Sequence, residues 1–320
     1  MPALMRRATL AFLLLLGGCG GHRLQVLDPS GPVALASRNS MLVDAGAMML
    51  IIGPTTALVL WCLWRFRRAG GKGAYRPGWS HSLPVEIVSW GFPLAIVAFL
   101  SLTAYRTTWQ VNPFGPGVMA QSHGADAAGP PVDVDVITTD WQWLFIYPAQ
   151  HVAVSNELVV PVHRPVRFRL TSATVMTDIF IPQLMGEIDV MPGMQTKQGL
   201  IADRVGVFQG MAADFNGPGF SWMQFKTRVV SDADFDRWTA QAAGSTQRMD
   251  MAGFTRFATP TINKDGHVGL FSEADPHLFD AVIGRIVAGD TFPTPSDMIE
   301  KKSSRGSRAQ PDTTPAASRS

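Results

Sequence analysis

The chain has 320 residues, a formal net charge of +2, 46% apolar residues and only 16% charged ones. A near-neutral balance gives no footing for a nucleic-acid partner held by phosphate contacts, and a charged share well under the usual quarter points to a membrane protein. Two cysteines, Cys19 and Cys62, exclude a disulfide framework or a cysteine-rich metal site.

Residues 1–18 read as a signal peptide: Arg6 and Arg7 form a basic start, Leu10 to Leu16 an apolar core, and Gly17 and Gly18 precede Cys19. About a dozen apolar residues are too few to span a bilayer but suit an export signal. The run LGGC resembles a bacterial lipobox, in which Cys19 is lipidated and becomes the mature N-terminus. An ordinary signal peptide with an incidental cysteine is the plainer alternative. Residues 19–40 are then an exported N-terminal segment, and Cys62, inside an apolar run, is a small buried hydrophobe.

A transmembrane hairpin is predicted over residues 41–109, with spans at about 45–64 and 83–105. The first, AGAMMLIIGPTTALVLWCLW, holds no charge, and at 1.5 Å per residue its length matches a hydrocarbon core of about 30 Å. Pro54 is expected to kink it, and Trp61 and Trp64 sit at the end where interfacial aromatics belong. The loop that follows carries Arg65, Arg67, Arg68, Lys72 and Arg76 and no acid, which places it in the cytoplasm and both tails outside. Glu86 lies one turn inside the cytoplasmic end of the second span. Two readings stay open there: an acid that complements the helix dipole, or a proton relay at membrane depth.

After a linker (110–131) the pattern turns to short strands over 132–245: VDVDVITTD, WQWLFIY, VAVSNELVVPV, VRFRLTSAT, TDIFIPQL, EIDV, QTKQGLIA, GVFQGMAA and WMQFKTRVV. Breaks every eight to twelve residues suggest a β-sandwich or barrel. Ser231 and Asp234 begin a helix with a capping-box-like start. Residues 246–290 form an irregular arm whose second half reads as an amphipathic helix, and 291–320 a polar, disordered tail.

DWQWLFIYP, LTSATVMTDIFIPQL, MPGMQTKQGLIAD and GVFQGMAADFNGPGFSWMQF, together with the hairpin, resemble subunit II of the haem-copper terminal oxidases, and the arm resembles that of its quinol oxidase members of the cytochrome bo type. The resemblance covers residues from about 40 to 290. It implies a two-helix hairpin, an all-β cupredoxin-like sandwich and a small helical C-terminal arm. Members fed by cytochrome c bind two coppers through a strand histidine and a loop C-x-E-x-C-x3-H-x2-M, because soft thiolates bridge the metals. Those positions fall here on Thr177, Ala212, Asp214, Asn216, Phe220 and Met223, and only Met223 keeps a ligand type.

The resemblance therefore implies a non-catalytic subunit of a complex that oxidises ubiquinol, reduces oxygen and pumps protons. No cofactor is expected in this chain; haems and copper are expected in subunit I. Subunits III and IV, membrane lipid and the bacterial inner membrane complete the expected setting, with the main domain periplasmic. Glu86 matches an acid at the cytoplasmic mouth of a proton path into subunit I. Two alternatives remain: a cytochrome c oxidase subunit with a decayed copper site, and a free-standing membrane-anchored lipoprotein. Trp141 and Trp143 are expected to pack the sandwich, His151 and His163 to bind no metal, and the methionines 176, 185, 191, 194, 211 and 223 to fill the core. Asp178, Glu187 and Asp189 have no histidine or nucleophile at suggestive spacing.

Overall fold

The computed structural model describes residues 24–67, 77–78, 80–112 and 129–296. The signal peptide, Cys19, much of the basic loop, most of the linker and the tail beyond 296 lie outside the described residues.

Two helices, α1 (Pro32–Arg65) and α2 (Leu83–Val111), are long and apolar enough to cross a membrane. Both exceed their predicted spans. Ser37, Arg38, Asn39, Ser40 and Asp44 interrupt the apolar run before residue 45, which ends a hydropathy reading, but none of them breaks helical geometry. Pro32 opens α1 at its first turn, where a missing N–H costs nothing, and the helix runs on through Pro54. Its 34 residues measure about 50 Å, well beyond a hydrocarbon core of about 30 Å. The surplus is used at the outer end: Val33 is buried in the core of the β domain, and Ala34 beside it is buried too. Just before them Ser30 donates its N–H to Gln183 O at 2.7 Å and accepts from Asp203 N at 2.8 Å, which fixes where the helix leaves the domain. The Ser40 and Thr107 hydroxyls meet at 3.1 Å and tie the two outer ends together.

Ten strands and one short addition build two sheets. β1 (Val132–Thr139), β2 (Gln142–Tyr147), β3 (Val152–Ser155), β5 (Val166–Ser172), β8 (Thr196–Leu200) and β11 (Gly269–Phe271) form the first, in the order β11-β3-β2-β1-β5-β8. β4 (Glu157–Pro161), β6 (Thr177–Ile181), β7 (Met185–Val190), β9 (Gly206–Met211) and β10 (Gln224–Val230) form the second, in the order β4-β10-β9-β6-β7. Most neighbours are antiparallel, but β1 pairs β5 and β10 pairs β4 in parallel. Phe145, Trp143, Phe168, Leu158 and Phe225 fill the space between the sheets. Tyr147 is fully buried, and its hydroxyl donates to Val159 O at 2.8 Å and accepts from Val159 N at 3.0 Å.

VAVSNELVVPV reads as one run, yet the structure divides it between β3 and β4, which lie in different sheets. The division falls at Asn156, whose φ of 57° is a left-handed conformation that asparagine tolerates. Its side chain accepts from Trp143 N at 3.0 Å, so the corner is pinned to β2.

Helix α3 (Asp232–Ala243) begins as the sequence indicates: the Ser231 hydroxyl accepts from Asp234 N. Phe235 and Trp238 bury against Tyr147, the Trp238 and Tyr147 ring centres lying 5.0 Å apart. The arm adds α4 (Met251–Phe257), which the sequence pattern does not single out, and α5 (Leu278–Val287). Phe254, Phe279, Leu278 and Val282 cover Ile137, Leu144, Ile146 and Ala153 on the outer face of the first sheet, forming a second core. That cover explains a departure from the alternation in VDVDVITT: Asp133 faces outward, but Asp135 is 1% exposed.

Candidate functional site

The two segments that hold the six candidate positions converge at one end of the second sheet. β6 supplies Thr177, and the loop from β9 to β10 supplies Ala212, Asp214, Asn216, Phe220 and Met223. Asn216 is the hub. Its Nδ2 donates to Thr177 Oγ1 at 3.0 Å and lies 3.0 Å from Met223 Sδ. Ala212 N donates to Met223 O at 3.1 Å, closing the base of the loop. Phe220 begins a short 3-10 turn, Phe220–Trp222, and stacks edge-on with Phe215 at 5.7 Å. Asp214 is exposed, and its backbone N–H is held by a carboxylate of β6.

Tryptophans form the wall behind the loop. Trp143 is fully buried, lies 5.1 Å from Phe225, and donates its Nε1–H to Met223 O at 3.3 Å. Trp141 takes a φ of 74° in the β1–β2 turn and donates its Nε1–H to Asn216 O at 3.3 Å. Its ring lies over Gly217 and Gly219, and a Cβ at Gly219 would overlap it. Gly217 also holds a φ of 122°, which L side chains rarely adopt.

Asp178, next to Thr177, was not among the sequence candidates for this loop. It is 0% exposed, and its Oδ1 accepts from Ala213 N and Asp214 N, both at 2.7 Å. A lone acid beside a β-strand threonine carries no sequence signal of that role; only the loop folding back reveals it.

The donor set can be weighed against a copper pair. Bridging two coppers needs thiolates, with imidazole to complete the shell. The side chains gathered here are a hydroxyl, a carboxamide, a thioether, a methyl and a phenyl ring, and the carboxamide already spans the hydroxyl and the thioether. They do not fit that metal centre.

The other candidates lie apart. Glu86 occupies the first turn of α2 and is exposed; its N–H donates to Ser82 O at 3.0 Å. His151 and His163 are exposed turn residues with φ of 54° and 60°. Among the described residues no group of three or more His, Cys, Asp or Glu is arranged to hold a metal. The methionines do not all fill the core: Met185 and Met223 are buried, whereas Met176 and Met194 are exposed, because both of the latter stand in loops at the sandwich rim.

Residues 132–230 match the family model described as cytochrome c oxidase subunit II, periplasmic domain, so the sandwich is cupredoxin-like. Over nearly the whole chain, the protein is 37% identical to the cytochrome bo(3) ubiquinol oxidase subunit 2 of Pseudomonas putida, covering 85% of this chain and 83% of that one. It is 35% identical to the ubiquinol oxidase subunit 2 of Acetobacter aceti, covering 88% and 87%. A cytochrome bo(3) ubiquinol oxidase subunit 2 of Pseudomonas aeruginosa is 33% identical, over 88% of this chain and 81% of that one.

Proposed function

The chain belongs to the subunit 2 family of the bacterial quinol oxidases, and we propose from that membership that it is the copper-free subunit II of a membrane complex oxidising ubiquinol with oxygen. As a family member it is a membrane-anchored component of a haem-copper oxidase and a partner of subunit I. The observation that carries the copper-free reading is Asn216: its amide joins Thr177 to Met223 where a copper centre would need soft ligands. A ubiquinol reaches the complex through the bilayer, so its electrons need no relay through an exported metal domain. Haems and copper then reside in subunit I, and this chain holds the sandwich against that subunit. Subunits III and IV complete the assembly, Cys19 carries the lipid, and the two spans place the sandwich outside the inner membrane.

Membranes containing the complex should consume oxygen with ubiquinol and not with reduced cytochrome c. Oxidation of reduced cytochrome c would favour a cytochrome c oxidase, and purification without a haem-bearing partner would favour a free-standing lipoprotein.

Glu86 takes up protons from the cytoplasm and passes them towards subunit I in this reading. Its place in the first turn of α2 supports access from that side. Glu86→Ala should slow ubiquinol-driven oxygen reduction by several-fold while the complex still assembles. Unchanged turnover would leave Glu86 only its favourable interaction with the helix dipole.

A further inference from the structure

The loop between β9 and β10 hangs on one carboxylate, and half of that carboxylate lacks a donor. Asp178 Oδ1 is satisfied twice by backbone N–H groups, but Oδ2 is buried and nothing donates to it. A buried acceptor left without a donor costs free energy, so its surroundings merit inspection. In the β6–β7 ladder Asp178 stands opposite Asp189, and Glu187, two residues along β7, shares that face. Diagonal neighbours on one ladder face lie within reach of long side chains, so the exposed Glu187 carboxyl can come into contact with Asp178. Two ionised carboxylates are both acceptors and repel; the contact is a bond only if one of them carries a proton. Asp178 Oδ1 already accepts two N–H groups, so its free Oδ2 is the acceptor left for a Glu187 O–H.

We propose that Glu187 and Asp178 form a proton-binding pair in the exported domain. The neutral Glu187 O–H donates to Asp178 Oδ2, and the bound proton thereby holds the 212–217 loop in place. On release, the proton passes to water and two negative carboxylates face each other, which loosens Asp178 and the loop with it.

The charged surroundings agree with this. Partial burial, then the charge of Asp178 and its hydrogen bond, then Asp214 and Asp189, hold the Glu187 carboxyl above the ordinary glutamate range. The cations on the elements packed beside it are Arg38 and, at the far end of the helix, Arg65 of α1, Lys197 of β8, and Arg167 and Arg169 of β5, which pair with Asp133 and Asp135. The main influences on Glu187 all disfavour its charge. The pair also lies near the outer end of α1, since Gly186 approaches Ser37. A change in its proton occupancy is therefore felt both at the loop and where the domain meets the membrane helix.

The test is hydrogen–deuterium exchange of the purified complex, corrected for intrinsic rates, from about pH 4 to about pH 9, which brackets ordinary and raised carboxyls. Protection of the 212–217 amides should fall as pH rises through the titration of the pair, by up to about tenfold per pH unit. Glu187→Gln keeps a donor at every pH and should hold that protection constant. Asp178→Ala removes the acceptor of both amides and should lose it at every pH. Flat protection in the native complex, or a Glu187→Gln variant that follows the native pH dependence, overturns the proposal. If Glu187→Gln assembles poorly, infrared spectra of the native complex decide: a protonated-carboxyl band that titrates together with loop protection supports the pair, and titration of either without the other overturns it.

Discussion

Gly219 passes beneath Trp141 so closely that the indole occupies the volume a side chain would need. Gly219→Ala should therefore displace the ring, break its bond to Asn216 O, and cost about 1–3 kcal/mol, the usual range for overpacking. A lowered thermal midpoint of the purified complex would show this; an unchanged midpoint would mean that Trp141 shifts freely. The neighbouring Asn216→Ala removes the amide that joins Thr177 and Met223. It should loosen the loop by about 1 kcal/mol, the net worth of a typical intramolecular hydrogen bond. Ubiquinol oxidation should survive, since no electron passes this point in the proposed mechanism. The proposed replacement of the metal ligands rests on residue type, which the sequence carries by itself. The sequence does not show that Asn216 and Asp178 take over the work of holding the loop, because both act across more than thirty residues of intervening chain.

At the level of elements, one arginine links the first sheet to α5 of the arm. Arg169 on β5 forms a bidentate pair with the buried Asp135 of β1 at 2.7 and 2.6 Å, reaches Asp280 of α5 at 3.3 Å, and lies 4.6 Å over the Phe279 ring. Burial pushes the Asp135 carboxyl above the ordinary aspartate range, and the Arg169 hydrogen bond and charge pull it back only in part. A raised carboxyl binds its proton more tightly in the folded state, so its contribution to stability is complete at acid pH and declines as pH rises through the folded value. Arg169→Met removes the opposing pull and leaves a buried, unpaired carboxylate, which should cost about 3–5 kcal/mol at neutral pH. The variant's stability should fall more steeply than the native protein's as pH rises from acid towards neutral. Denaturation at several pH values checks the slope, and parallel curves would show that Asp135 is not sensed. Alternation in VDVDVITT correctly marks a strand, yet it assigns Asp135 outward, because a period of two cannot register a second layer laid over the outer face.

For the molecule as a whole, the arm is a structural layer over the sheet. Its removal after residue 245 would expose Ile137, Leu144, Ile146 and Ala153, which the arm now buries. An apolar patch of that kind promotes association, so the truncated chain should aggregate or fail to join its complex. Normal yield of active oxidase from such a truncation would show that the arm is dispensable. The hairpin, the sandwich and the family membership agree with one another on a protein anchored in a membrane with its β domain on one side. The proposed orientation, with the basic loop in the cytoplasm, predicts that a cysteine introduced at Lys72 is labelled only after the membrane is permeabilised; labelling of intact cells would overturn it.

Composition, the two uncharged runs and the strand rhythm were sufficient to indicate the hairpin and the sandwich, because each depends on residue type and local spacing. The true length of α1 was not legible, since polar residues end an apolar run without ending a helix. Nor was the passage of one strand run between two sheets at Asn156, the burial of Asp135 beneath α5, or the meeting of Asp178 with the loop. These were decided by tertiary structure, because each depends on which distant segment comes to lie against a side chain, and burial and hydrogen bonding take effect only after that contact exists.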